Sequence, residues 1–383
     1  MEPKQHEETT RERFRRFVEV SIAPHAGEWD ERGEVPATLP AVLAEAGLLA
    51  QAVPSAYGGE EADPLVYGFL HAEIGAACAS TRALITVHDM VAAAIARWGE
   101  DDQKRRWLPE LASGRGLGAF ALTEPEAGSD ARSIRASARA DGDGFVLAGR
   151  KRWITAGGLA KLFLVFARLE GKATAFLVPA GAPGLTVRAM APPLGMRASQ
   201  PVELEFAECR VHAGAQLGRA GTGLSHVAAT ALHLGRYAVA WGCTGIQRAC
   251  LNEAVRHARS RVQFDVPLRE HQLVQEMIAE MAVELRAAEA LCREAARLRR
   301  ERDPEAILAV AVAKLYASRA AQRAATQAIQ ILGAQGCAPS SAVQRHFRDA
   351  KVMEIIEGST QIQQLLVAND ALQRFADPGR EAP

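Results

Sequence analysis

The apolar residues of this 383-residue chain change their period twice, and that double change constrains the fold more than any other feature. Up to about Ser113 the spacing is helical: Leu39, Val42, Leu43 and Ala46 recur on one face and the run stops at Gly47. Asp101-Asp102 precedes Gln103–Leu108, an acidic helix start followed by a basic turn, and Pro54 with Gly58-Gly59 marks a loop. After Gly118 the period shortens. Asp141-Gly142-Asp143-Gly144 is a hairpin turn signal, apolar runs follow at Phe145–Leu147, Leu162–Ala167 and Ala175–Val178, and Val202–Phe206 alternates with period two. From Leu224 the helical spacing returns in long segments, one reaching about Arg259 and another spanning Glu270 to Arg300. A third restarts at Asp303-Pro304-Glu305 with Pro just inside its start, reaches Leu332, and is broken by Gly333 and Gly336. The expected fold is mainly α with a central β-domain. Its expected divisions are 1–118 helical, 119–223 β and 224–383 helical, in keeping with the length.

Composition removes several function classes. Lys plus Arg and Asp plus Glu both number 45, so no net charge draws the chain to nucleic acid or to an anionic membrane. The longest apolar stretch, near Ala83 to Ile95, contains His88 and Asp89 and reads as a buried helix, not a membrane span. The six cysteines form no C-x-x-C pair and no histidine cluster offers metal spacing, so no metal is expected. Scattered single thiols and a polar N-terminus with no apolar signal core point to a cytoplasmic protein.

Two segments carry specific chemistry. Thr123-Glu124-Pro125-Glu126-Ala127-Gly128-Ser129-Asp130 places a glycine among hydroxyls and carboxylates in a turn, a composition that lets backbone N–H groups approach a cofactor. On composition alone it is equally a surface turn. More than two hundred residues later come Gln330–Gly336, Arg348-Asp349-Ala350-Lys351 and Glu357-Gly358-Ser359-Thr360-Gln361-Ile362. In their order the two segments resemble the signatures of the acyl-CoA dehydrogenase family, flavoenzymes that desaturate acyl thioesters. The resemblance covers nearly the whole chain and implies that family's order: an N-terminal helical domain, a barrel-like middle β-domain and a C-terminal four-helix-bundle-like domain.

The resemblance implies FAD as cofactor, and the absence of G-x-G-x-x-G leaves nothing that points to nicotinamide. Glu357 matches the base of the short- and medium-chain branches. It would remove the α-proton while the β-hydride passes to flavin N5. Some relatives carry the base where this chain has Gly235, which cannot act as one. By motif, Leu122, Thr123, Gly128, Ser129, Trp153 and Thr155 match flavin contacts. Arg261, Gln263, Phe264, His271 and Gln272 match a segment that reaches a neighbouring subunit's cofactor. Gln330, Gly333, Ser359 and Gln361 match further cofactor contacts, and Arg236 and Gly358 the acyl site. The implied partners are an acyl-CoA or acyl-carrier-protein substrate and an electron-transfer flavoprotein or other acceptor. The implied assembly is a homotetramer.

The chain departs from the family pattern at Ala334, where a second glycine is usual, at Cys337 in place of an aromatic, and at Ile356 in place of a tyrosine. These departures leave the usual fatty acyl substrate open, and keep in play an oxidase of a short functionalised acyl or aminoacyl group on a carrier protein. A catalytically silent binding protein and a flavin monooxygenase both fit poorly with a retained Glu357. His233, Tyr237 and Trp241, spaced by four, share one helix face: it either lines the acyl pocket or packs against a neighbouring domain.

Overall fold

The computed structural model describes residues 3–375. Residues 1–2 and 376–383, which the sequence divisions include, lie outside the described residues. Six helices come first: α1 (Pro3–Ser21), α2 (Ala26–Arg32), α3 (Leu39–Glu45), α4 (Pro64–Ala77), α5 (Ala79–Trp98) and α6 (Asp101–Ala112). α3 ends where Gly47 turns left-handed at φ 66°, and Glu100 and Gln103 close a capping box at the start of α6. α5 holds the long apolar run and is buried on almost every side. Among the described residues no helix is long and apolar enough to cross a membrane.

Eight strands follow: β1 (Leu117–Ala121), β2 (Ser137–Asp141), β3 (Gly144–Ile154), β4 (Ala160–Leu169), β5 (Lys172–Pro179), β6 (Leu185–Ala189), β7 (Val202–His212) and β8 (Gln216–Leu217). They form one sheet in the order β6-β7-β3-β2-β4-β5-β8, with β1 parallel to β4 as a branch. The β2–β3 hairpin turns at Gly142, φ 60°. The unbroken apolar run of β4 has a physical reason: both faces of the strand are covered. Leu162, Leu164 and Phe166 pack with Val91, Ile95 and Leu108 of α5 and α6, whereas Phe163, Val165 and Ala167 pack with Phe176, Leu204 and Phe206 of the sheet. One face of the β-domain is thus sealed by the N-terminal helices.

A π-helical turn, Gly223–Ala228, leads into α7 (Ala229–Ser260). Then come a two-stranded hairpin, β9 (Val262–Gln263) and β10 (Val266–Pro267), and the helices α8 (Gln272–Glu301), α9 (Ala306–Leu332), α10 (Ala334–Cys337), α11 (Ala342–Met353) and α12 (Thr360–Arg374). Two sequence expectations shift here. Pro304 lies in the turn before α9, whose first residue Ala306 donates its N–H to Asp303 O at 3.0 Å. Gly333, φ 60°, does end α9, but Gly336 falls inside the short α10.

α7 is the central column. Its glycines Gly242 and Gly245 have no room for a side chain, because α4 and α5 lie against them. Buried Glu73 of α4 receives Arg11 of α1 at 2.7 Å and Arg248 of α7 at 2.7 Å, tying the two helical domains together.

Candidate active site

Glu357 sits in the turn between α11 and α12 with a left-handed backbone, φ 55°, followed by Gly358 at φ 93°. A non-glycine residue there costs roughly 1–2 kcal/mol, so the surroundings must impose it. Three side chains do so. Arg236 Nε donates to Glu357 O (3.1 Å), Lys314 Nζ to Gly358 O (2.8 Å) and Gln363 Nε2 to Gly358 O (3.2 Å). Thr360 N donates to Glu354 O at 2.8 Å, and Ser359 caps α12. A side chain on Gly358 would meet Gln363 Nε2 at 2.6 Å, which accounts for the glycine.

The turn aims the Glu357 carboxylate at α7. Its Oε2 is sealed from solvent with no hydrogen-bond partner among the described residues, although the residue as a whole is only half-buried. Burial pushes its pKa up to about 7 from the ordinary 4.5, while Arg236, Arg82 and Lys314 pull it down. A carboxylate with a pKa near neutrality and a bare oxygen is suited to accept a proton.

Glu357 lines a small cleft to which each domain contributes. The N-terminal helices supply Arg82, Thr86 and Val87 of α5; the β-domain supplies Thr155 and Met196; the C-terminal helices supply Val239 and Ile356. Val239 lies on α7 between Gly235 and Gly242. These glycines are seven residues apart on one face and serve as two slots. The Glu357 carboxylate fills the first, where a Cβ would lie 2.6 Å from Oε2. The side-chain stem of Arg82 fills the second.

Thr155 is placed by the end of β3, and Met196, between β6 and β7, by its N–H donating to Asp349 Oδ1 at 2.6 Å. The pairing of β3 with β7 slips between Lys151 and Ile154, and Trp153 takes φ 62° within the slip. This bulge throws the indole outward, 52% exposed, beside Thr155 of the cleft. The first signature loop is fastened to the same strand. Lys151, fully buried, reaches Glu124 Oε1 (2.8 Å) and Leu122 O (3.0 Å), and Glu124 also accepts from Arg135 N (2.6 Å) and Ala136 N (3.0 Å). Arg152 N donates to Thr123 O at 2.9 Å. Leu122 is thereby buried and Thr123 half-buried, while Gly128 and Ser129 face outward, Gly128 with nothing within 4 Å of where a Cβ would stand. The outward indole of Trp153 beside Thr155 and the open ground at Gly128 are compatible with a flavin ring.

Other sequence candidates lie apart. Arg261, Gln263 and Phe264 stand on the β9–β10 hairpin, all exposed, with Phe264 89% so and left-handed at φ 54°. His271 packs on Phe264 edge-to-face and reaches Gln263 O at 3.2 Å, and Gln272 opens α8. Gln330, Gly333 and Gln361 are exposed at helix ends. Within one protomer none of these lines the Glu357 cleft. The His233, Tyr237 and Trp241 face packs elsewhere: Tyr237 donates to Pro64 O (2.7 Å), and Trp241 lies edge-on to Phe69 over the bare Gly68 of α4. It is a domain contact.

Sequence reasoning missed Arg82, Thr86, Met196, Val239, Lys314 and Gln363. Two carried a signal: Arg82 and Lys314 are lone cations inside long apolar helical runs, where a charge needs a reason.

Residues 4–115, 119–209 and 221–372 match the N-terminal, middle and C-terminal domains of acyl-CoA dehydrogenase. The chain is 38% identical over 367 residues to the human mitochondrial short-chain specific acyl-CoA dehydrogenase, covering 94% of this chain and 89% of that protein. A glutaryl-CoA dehydrogenase from Mycobacterium smegmatis in complex with FADH2 superposes with a TM-score of 0.92 at 30% identity, over 99% of this chain and 96% of that one. FkbI, described as acting in biosynthesis of the methoxymalonyl extender unit of the polyketide Fk520, superposes with a TM-score of 0.88 at 37% identity, over 94% and 99%. The chain belongs to the acyl-CoA dehydrogenase family and is an FAD-dependent oxidoreductase of acyl thioesters.

Proposed function

We propose that Glu357 is the base that removes the α-proton of a short acyl thioester. The observation that carries this reading is the sealed, unpartnered Oε2 with its pKa near 7. FAD, when bound, supplies the hydride acceptor. Thr155, Trp153 and the Leu122–Ser129 loop would hold its ring, with Ser359 and Gln361, two and four residues beyond the base in sequence, as further contacts. Arg236 and Lys314 keep the Glu357 turn fixed and add positive potential where enolate charge develops, and the Glu357 backbone N–H would polarise the thioester carbonyl. Val87, Val239, Ile356 and Met196 exclude water, which keeps the carboxylate basic. Anaerobic mixing of flavin-loaded protein with short acyl thioesters tests the reading. Bleaching by at least one is expected, and no bleaching by any would overturn it.

A second reading keeps the same chemistry and places the acyl group on a carrier protein. The similarity to AnaB, a prolyl acyl carrier protein oxidase that superposes with a TM-score of 0.91 at 28% identity over 95% of this chain and 98% of that one, supports it. Equal thioesters on coenzyme A and on a carrier protein separate the two.

The reading extends to assembly. Exposed Phe264 with Arg261, Gln263, His271 and Gln272 is suited to reach a partner's FAD, alongside Gln330 and Gly333. Leu365 and Leu372 on α12 leave further apolar surface. Both support a homotetramer. Six free thiols support the cytoplasm as its location, and an electron-transfer flavoprotein is the proposed acceptor.

A further inference from the structure

Three cations surround the one carboxylate of the cleft, and one of them, Arg82, lines the cleft itself. Arg82, Arg236 and Lys314 all act on Glu357, yet among the described residues no carboxylate oxygen lies within 4 Å of any of them. Two of the three are used by backbone. Arg236 holds the Glu357 carbonyl and Lys314 the Gly358 carbonyl.

Arg82 is different. It is 1% exposed, in the apolar body of α5. Among the described residues, Nη1 reaches Thr86 Oγ1 at 3.0 Å, Nη2 meets only the sulfurs of Met353 (3.6 Å) and Met196 (4.0 Å), and Nε has no partner. A guanidinium taken out of water with one hydroxyl for company is costly. Gly242 gives up its side chain so that the Arg82 stem can pass, and the rim of the cleft lies beyond it. Nε and Nη2 of this planar fork thus meet no oxygen among the described residues, in a small cleft that the base also lines.

We infer that Arg82 receives a carboxylate at the far end of the acyl group, so that the substrate is a short acyl thioester bearing a terminal acid. A fork-shaped donor set matches a carboxylate bidentately. The length follows from α7. Gly235 and Gly242 are seven residues apart, about 10 Å along a helix rising 1.5 Å per residue, with the Glu357 carboxylate at the first and the Arg82 stem at the second. Only a short spacer fits between the α-carbon at Glu357 and an acid at Arg82. Val239 and Ile356 form the apolar walls of that spacer.

The inference rests on the acyl-thioester reading above, and its test separates the two. Flavin-loaded protein is given coenzyme A thioesters of short acyl groups ending in a carboxylate, and the equal-length groups ending in methyl or in the methyl ester. Anaerobic bleaching gives kcat/KM, and the change of flavin absorbance on adding non-oxidisable thioether analogues gives binding. The wild type should prefer the carboxylate about 100-fold or more. Arg82→Met should collapse that ratio, and Arg82→Lys, which keeps charge without the fork, should restore part of it. A wild type that favours the methyl-ended group overturns the inference and leaves the dehydrogenase reading intact. So does an Arg82→Met protein that slows both series equally, which would give Arg82 to the enolate. If no thioester bleaches the flavin, the reaction itself is wrong, and the binding ratio still decides what Arg82 receives. Should Arg82→Met fail to fold, Thr86→Val, which frees the guanidinium from its only hydroxyl, must lower the ratio.

Discussion

Gly235 and Glu357 occupy one volume: the carboxylate of the second stands where the side chain of the first would be, 2.6 Å from its Cβ position. A base can therefore be held on α7 or on the α11–α12 turn, but not on both. Gly235→Ala should displace the carboxylate and cut turnover by at least tenfold with the fold retained. Gly235→Glu should be inactive alone and regain some bleaching only when Glu357 is shortened to Gly. Glu357→Gln, which is as large as glutamate, should give no such rescue. Stopped-flow bleaching of the four variants checks this.

Glu357→Gln should keep its flavin and lose at least ~10²-fold in bleaching rate, the scale of a lost general base. In the wild type, kcat/KM should rise with pH through about 7 and level off above it, because the base acts deprotonated. The stability effect has the opposite sense. The folded value near 7 lies above the ordinary 4.5, so the folded state holds this proton more tightly than the unfolded chain. Stability is lost as pH rises from 4.5 through 7, and Glu357→Gln should raise Tm more at pH 8 than at pH 5.

Lys151 and Glu124 form a buried pair that fixes the first signature loop to β3. Lys151→Met strands a buried carboxylate and should cost on the order of 3–5 kcal/mol in urea unfolding. Glu124→Gln with Lys151→Met should cost less than Lys151→Met alone. Flavin retention on a desalting column should fall with the single substitution, since Leu122 and Thr123 lose their anchor.

Trp241→Ala removes a ring packed against Phe69 and Gly68. It should destabilise the fold by about 3–5 kcal/mol and leave acyl-length preference unchanged. A shift of that preference would return this face to the pocket.

Phe264 is 89% exposed and meets His271 edge-to-face. Phe264→Ser should leave the far-ultraviolet circular dichroism as it is, and lower both the sedimentation coefficient and the flavin content. If neither falls, the hairpin is not an intersubunit arm.

The helical, β, helical order was legible because period and turn residues are local properties: Gly47, Gly142 and Gly333 each mark an element end in the structure. The turn that brings Glu357 to the cleft was legible through Gly358, which marks a break between helices. Arg82 was not, although it stands in plain sight in an apolar helix. Its role depends on Gly242, Met196 and Met353 from distant parts of the chain, and one sequence does not report who meets whom. The Trp241 face stayed open between pocket and domain packing for the same reason. Helical spacing shows that residues share a side but not which side faces the cleft, and Gly235, Val239 and Gly242 hold that position.

The cleft borrows Arg82 and Thr86 from one domain, Thr155 and Met196 from a second, and Val239 and Glu357 from a third. Activity here is a coincidence reading: it exists only while all three bodies are docked in register. Heat need not melt any one of them to silence the protein. A rigid shift at the least cohesive seam would separate base from acceptor while every helix and strand persisted, so turnover should fade at a lower temperature than circular dichroism does.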